Sequence, residues 1–214
     1  MTDLRAMLQQ ALAQLELSFS DQQVDALLDY LALMQKWNKV YNLTAIRDPK
    51  EMLVKHIIDS LAVVPHIDSQ RLIDVGTGGG LPGVVLAIAY PDRTVDMLDS
   101  NHKKTRFLVQ VKAELGLKNS QIIHSRVEQY QPSSLYDGVV SRAFASIADM
   151  VHWTQHLLSS NGTWWAMKGQ QEAEDLTALT DAKVEKVIPL KVPYLPAERT
   201  LIALKPVNQE LQNG

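Results

Sequence analysis

The sequence predicts a doubly wound α/β protein: a mainly parallel β-sheet with helices on its faces, preceded by a helical extension. Three observations predict it. From Arg71 onward, short runs rich in branched residues alternate with stretches of helical periodicity, the pattern of βαβ crossovers. The first run, Arg71–Val75, leads directly into Gly76-Thr77-Gly78-Gly79-Gly80-Leu81-Pro82-Gly83 and then a helix. The next run ends at Asp99, where nucleotide-binding folds of this type place an acidic residue.

The N-terminal third reads as helix. Leu4, Met7, Leu8, Ala11, Leu12 and Leu15 recur at spacings of three and four and form one apolar stripe of a helix. Ser20 with Gln23 reads as a capping box opening a second helix, which carries Val24, Leu27, Leu28, Leu31 and Met34, then Trp37 and Tyr41. Asp48-Pro49 with Glu51 starts a third, bearing Met52, Val54, Ile57, Ile58 and Leu61. The strand runs are Arg71–Val75, Thr94–Leu98, Gln121–Ile123, Gly138–Val140 and Gly162–Met167, with helices near Gly83–Tyr90, Lys103–Leu115 and Ile147–Leu158. Two last runs, Val184–Pro189 and Thr200–Leu204, are separated only by a proline-bearing loop and are expected as an antiparallel pair at one end of the sheet. A helical extension over residues 1–68, packed on a core over 69–214, is the expected organisation.

Composition narrows the function. With 46% hydrophobic and 21% charged residues the chain lies in the globular range. The net charge of −3 means that any RNA contact must come from local patches, because a protein held to nucleic acid by bulk charge is basic. The absence of cysteine removes disulfides, thiolate metal sites and thiol nucleophiles. Acids and glutamines interrupt the apolar pattern of the N-terminus, so it does not read as a signal peptide, and no apolar run has the length of a membrane span. A cytoplasmic location is expected. No His/Asp/Glu set has metal-ligand spacing; His152 and His156 lack the Glu of a zincin motif.

The glycine loop carries the first chemical signal. Glycines let the backbone turn tightly and approach a ligand, and the helix beyond the loop directs free N–H groups toward an anion. That anion could be a pyrophosphate or the carboxylate of an amino acid. A dinucleotide fingerprint would place Gly or Ala where Leu81 stands. The acid-first order Asp74-x-Gly76-x-Gly78-x-Gly80 instead resembles motif I of methyltransferases, in which Asp74 would position the methionine amino group, directly or through water. Asp99 is read as the ribose ligand, since two vicinal hydroxyls match two carboxylate oxygens; the competing reading is a helix N-cap with Ser100. Ser125-Arg126-Val127-Glu128, after the third strand, would border the adenine in such a fold.

Taken together, Trp37-Asn38, Tyr41 to Ile46, Lys55-His56 with Asp59-Ser60, Asp74 to Gly83, Leu98-Asp99-Ser100, Ser141-Arg142-Ala143-Phe144 and Lys168-Gly169 resemble the ribosomal RNA small subunit methyltransferase G family, also called glucose-inhibited division protein B. The resemblance spans Trp37 to Arg199. It implies a class I S-adenosylmethionine-dependent methyltransferase fold: Rossmann-like, with a mostly parallel seven-stranded sheet and a C-terminal antiparallel hairpin. It also implies methyl transfer to N7 of a guanine in the 530 loop of bacterial 16S rRNA. The cofactor residues implied are Gly76, Leu81, Val127, Glu128 and Arg142, with Asp99 at the ribose.

The residues agree with that chemistry. Guanine N7 has a lone pair and no proton, so its methylation needs alignment and no general base. The chain has no Cys for a covalent adduct with a pyrimidine, and Ser141-Arg142-Ala143-Phe144 stands where amine methyltransferases carry Asn/Asp-Pro-Pro-aromatic. Arg142 is the one candidate catalytic residue; its guanidinium could bind guanine O6, a phosphate or the methionine carboxylate, and the family pattern favours the cofactor. Lys103, Arg106, Lys168 and Arg199 are the expected RNA contacts, with His102 and Lys104 beside the first two. Asn38, Asn42, Lys55, His56, Asp59 and Ser60 fit either a rim of the site or an ion-paired helix with a packed histidine. Trp164-Trp165 reads as packing, one indole to each side of a strand. The expected partner is 16S rRNA, in the 30S subunit or an assembly intermediate. The alternatives are a methyltransferase for a small molecule or protein, a nicotinamide oxidoreductase, which Leu81 and the acid-first loop oppose, and a nucleotide-sensing module without catalysis.

Overall fold

The structure, a computed structural model, describes residues 2–144, 146–169 and 179–207. Helix α1 (Thr2–Gln14) packs on α2 (Asp21–Tyr41). The capping box forms as the spacing predicts: Ser20 Oγ accepts from Gln23 N, and Gln23 Oε1 accepts from Ser20 N. Asn42 ends α2 in the left-handed conformation. Asp48 caps α3 (Pro49–Met52), which continues as a π-helical segment, Leu53–Ile58, and then α4 (Asp59–Leu61). The sequence spacing predicts plain α-helix here. The wider π turn shifts the helical phase, so Lys55, His56 and Asp59 line one cavity while Leu53, Ile57, Ile58 and Leu61 are buried.

Seven strands form one sheet: β1 (Arg71–Val75), β2 (Thr94–Asp99), β3 (Ile122–His124), β4 (Tyr136–Ser141), β5 (Leu158–Lys168), β6 (Ala182–Leu190) and β7 (Arg199–Pro206). Their order is β3-β2-β1-β4-β5-β7-β6. Pairs are parallel as far as β5, and β7 runs antiparallel to both β5 and β6. Helices α5 (Gly83–Ala89), α6 (His102–Leu115) and α7 (Ile147–Thr154) make the crossovers, while the β3–β4 link carries a 3-10 turn at Val127–Gln129. The order reverses at β1, which has β2 on one side and β4 on the other. Ligands in open α/β sheets bind at such a switch point, beyond the carboxyl ends of the strands.

Each sheet face buries its own cluster. On one, Leu72, Val140 and Trp165 pack with Val85, Phe107 and Leu108 and also with Leu8, Leu27, Leu31 and Met34 of α1 and α2. On the other, Ile73, Val139 and Trp164 pack with Ile147, Met150 and Val151 of α7. The two indoles therefore point to opposite faces, as alternation requires. Each N–H is satisfied: Trp164 donates to Thr154 Oγ1 (2.8 Å) and Trp165 to Ser69 Oγ (3.2 Å). No helix among the described residues is long and apolar enough to cross a membrane.

The turn after β1 leaves no room for larger residues. Gly80 has φ +96°, and an added Cβ would lie 2.5 Å from Val84 Cγ2 and 2.8 Å from Leu108 Cδ2. Gly80→Ala is expected to cost about 2 kcal/mol through overpacking and backbone strain. Chemical denaturation should show a lower midpoint at unchanged slope; an unchanged midpoint would refute the packing.

Candidate active site

The site begins with how β1 turns. Gly76 and Thr77 donate their N–H groups to Leu98 O (2.9 and 3.1 Å), which pins the turn to β2. Gly78 N donates to Asp99 Oδ2 at 2.8 Å, and Asn101 N to Asp99 Oδ1 at 2.8 Å. The N-cap of α6 is Asn101, so the capping alternative for Asp99 is replaced by a carboxylate fixed by two backbone donors. Gly76 has φ +70°, and a Cβ there would meet Ala143 Cβ at 2.7 Å. From the helical side, Tyr30 Oη donates to Gly79 O at 2.5 Å.

Asp74 is fully buried behind this turn. Its Oδ2 accepts from Thr77 Oγ1 (2.6 Å) and Gly83 N (2.7 Å), while Oδ1 has no partner. Burial pushes its pKa up to about 6, against the pull of those donors and of Arg142. A buried, unpartnered carboxylate oxygen beside a glycine turn is a fitting counter-charge for an ammonium group.

Two cavities adjoin the turn, and a third lies next to the first. One of about 240 Å³ is lined by Gly76, Gly78, Leu81, Lys104 and Met34. A second, of about 250 Å³, lies between Asp99 and the segment Ser125, Arg126, Val127 and Glu128, and shares Gly76 and Ala143 with the first. A third, of about 470 Å³, is lined by Lys55, Asp59, Met167, Lys168 and Arg199, and shares His56 and Arg142 with the first. The first two cavities have room for an elongated ligand with an amino-acid end and a nucleoside end, and the third lies beside the first across His56 and Arg142.

The wall between the first and third cavities is electrostatically defined. Arg142 Nη1 donates to Asp59 Oδ2 at 3.4 Å and Arg199 Nε to Asp59 Oδ1 at 2.9 Å. Burial pushes the Asp59 carboxyl above its usual range and the two guanidiniums pull it back. His56 is buried, with Nε2 2.9 Å from Thr44 Oγ1. Burial, then the nearby Arg142, lower its pKa to about 4, so it is neutral at neutral pH.

The predicted residues are thus distributed unevenly. Gly76, Gly78, Leu81, Asp99, Val127, Glu128 and Arg142 surround the first two cavities, and Asp74 stands behind them. Lys168 and Arg199 line the third cavity, where Lys168 also donates to Phe144 O (3.2 Å). Lys103 and Arg106 are exposed on α6, outside all three, whereas Lys104, read as their RNA-binding neighbour, lines the first. Lys55, His56 and Asp59 combine both readings offered for them: they line a cavity, and Asp59 is ion-paired. Sequence reasoning took Met34 only as part of an apolar stripe and Thr44 only as part of the resembling segment, and it missed Tyr30, for which a tyrosine inside an aliphatic stripe was the available signal. His156 Nε2 lies 3.2 Å from Val127 O and Tyr130 O, steadying the turn beside the second cavity. Among the described residues no three His, Cys, Asp or Glu side chains come together as a metal site.

This sheet order, with its glycine turn, the carboxylate of Asp99 at the end of β2 and the adjoining cavities, defines a class I S-adenosylmethionine-dependent methyltransferase. Solved structures share the fold at low identity. A SAM-dependent methyltransferase from Aquifex aeolicus matches at TM-score 0.58 and 15% identity, over 79% of this chain and 96% of its own. The O-methyltransferase TomG from Streptomyces achromogenes, in complex with SAM, matches at TM-score 0.55 and 16% identity, over 84% and 89%. The family model for rRNA small subunit methyltransferase G matches residues 23–202. Ribosomal RNA small subunit methyltransferase G of Hydrogenovibrio crunogenus is 65% identical over 87% of each chain, and that of Saccharophagus degradans is 52% identical over 92% of this chain and 89% of its own. The chain belongs to the rRNA small subunit methyltransferase G family, and its methyl donor is S-adenosylmethionine.

The Tyr30 and Asp74 contacts are each open to a direct test. Tyr30→Phe removes one buried donor, so it should cost about 1 kcal/mol of stability and weaken S-adenosylmethionine binding about fivefold; unchanged affinity by calorimetry would exclude this contact from the site. For Asp74 the folded pKa lies above the ordinary value of 3.8, so its ionisation destabilises the fold as pH rises from about 4 to about 6. Asp74→Asn should therefore be no less stable than wild type at pH 8, yet bind S-adenosylmethionine more weakly. Wild-type affinity should be flat above about pH 6 and fall below it. A pH-independent affinity would remove the Asp74 charge from recognition.

Proposed function

We propose that this protein transfers the methyl group of S-adenosylmethionine to N7 of a guanine in 16S rRNA, in the 30S subunit or an assembly intermediate, in the cytoplasm. The observation that carries the reading is the wall of His56 and Arg142 shared by the cofactor cavity and the acceptor cavity. Relatives named for the ribosomal small subunit support rRNA as the substrate class.

When bound, S-adenosylmethionine supplies an electrophilic methyl group on a sulfonium. The chain's residues do the rest. Gly76, Gly78 and Leu81 shape the methionyl cavity, and Asp74 fixes that turn and offsets the ammonium charge, directly or through water. Asp99 accepts from the ribose hydroxyls with the lone pairs that its two backbone donors leave free. Val127 and Glu128 border the adenine. Arg142, aligned by Asp59, holds the methionine carboxylate.

N7 needs alignment and no base. The wall suits that, because His56 is held neutral and Asp59 is engaged by two guanidiniums. As the methyl arrives the purine turns positive. A neutral imidazole and a paired Arg142 oppose that charge less than free cations would. Lys168 and Arg199 are the cations for the phosphate of the target nucleotide, and Lys103 and Arg106 contact RNA outside the cavity.

Labelled methyl transfer to unmodified 30S subunits, followed by nucleoside mass analysis, tests the reading. The expected product is 7-methylguanosine in 16S rRNA, with little activity on a short free hairpin. A different methylated base, or no incorporation into either 30S subunits or their assembly intermediates with the cofactor bound, would overturn it.

A further inference from the structure

The second half of α2 and the first half of α6 lie side by side next to the cofactor cavity, which Met34 of one and Lys104 of the other help to line. Trp37 joins them: its Nε1 donates to Gln110 Oε1 at 3.0 Å, and its ring lies 5.5 Å from that of Phe107. Between Leu31 and Tyr41 and between His102 and Val111 stand Lys36, Lys39, Lys103, Lys104 and Arg106, with no Asp or Glu. The first half of α2 is the reverse, with Asp21, Asp25 and Asp29 and no cation. In a chain of net charge −3, cations are therefore gathered where two helices pass the site.

Among the described residues none of the five pairs with a carboxylate. Lys103 and Lys104 occupy the first turn of α6, which has no acid, so they oppose the helix dipole. Lys103 and Arg106 share, at helical spacing, the face of Gln110 that meets Trp37. At the end of α2, Tyr41 is 38% exposed with its ring 4.9 Å from that of Trp37, and Val40 is 70% exposed. An exposed aromatic backed by an indole, on a helix whose same turns carry unpaired cations, matches an unpaired base and the phosphates of a strand that passes around the helix end.

We propose that the α2–α6 seam is the docking surface for an unpaired stretch of rRNA flanking the methylated nucleotide, with Lys36, Lys39, Lys103 and Arg106 on phosphates and Tyr41 under a base. The proposal rests on rRNA being the substrate. The α2 helix then has two tasks, supporting the cofactor turn through Tyr30 and holding RNA through its last turns.

Full-length Lys36→Glu/Lys39→Glu, Tyr41→Ala and Tyr41→Phe are compared with wild type on unmodified 30S subunits. The lysine pair should raise KM for 30S at least tenfold and reduce the salt slope of log affinity by about 1.5. Its S-adenosylmethionine affinity should stay within about twofold of wild type. Tyr41→Ala should weaken 30S binding about tenfold with the salt slope unchanged, and Tyr41→Phe should restore it. Unchanged KM and salt slope in the lysine pair, with wild type active on 30S, overturn the docking surface and leave the proposed function standing. Loss of cofactor affinity in step with activity also overturns it, because the residues would then support the fold. Wild type that neither binds nor methylates rRNA overturns both.

Discussion

The turn that carries the chain from β1 into α5 is a left-handed backbone wedged between two packed elements, and the site depends on it. Positive φ at Gly76, Gly78 and Gly80 would be costly for other residues, and at Gly76 and Gly80 the space where a side chain would go is taken by Ala143, Val84 and Leu108. The compensation is a dense set of hydrogen bonds to Leu98, Asp99, Asp74 and Tyr30. Because Tyr30 comes from α2, the cofactor turn is held from the helical extension as well as from the sheet. The extension is then part of the site and more than a cover for the sheet face.

That placement also shapes the electrostatics. A cationic donor reacting with a base that becomes cationic needs a junction low in free positive charge, yet an RNA substrate needs cations nearby. The chain separates these demands in space. At the junction, His56 is kept neutral by burial and Arg142 is tied to Asp59. Beside them Lys168 and Arg199 line the third cavity, Arg199 tied to the same Asp59, while Lys103 and Arg106 of α6 stand on the exterior.

Much of this was legible in the sequence, for physical reasons that differ by element. Runs such as Arg71–Val75 coincide with β1 because a central parallel strand is buried on both faces and is mostly apolar, Asp74 being the exception that serves the turn. The strands β5, β6 and β7 extend beyond their apolar runs, since ladder partners set their ends and side-chain chemistry does not. The π segment at Leu53–Ile58 left no mark, because nearly every residue around it is buried and periodicity has nothing to contrast. Asp99 and the glycine loop were readable from order along the chain. The Asp59–Arg142–Arg199 arrangement was not, because its members come from a helix, a strand end and an edge hairpin far apart in sequence. Tyr30 adjoins Leu31 of the apolar stripe on α2, and the stripe drew the reading away from its hydroxyl.

The central claim is that sheet and helical extension build one cofactor site. Hydrogen exchange with and without S-adenosylmethionine tests it most directly. The account predicts slower exchange on binding both in Gly76 to Gly79 and in α2 between Tyr30 and Asn38, since both are joined through the Tyr30 contact and the lining residue Met34. Slowing confined to the glycine turn, with α2 unchanged, would contradict it and return the extension to the role of a passive cover.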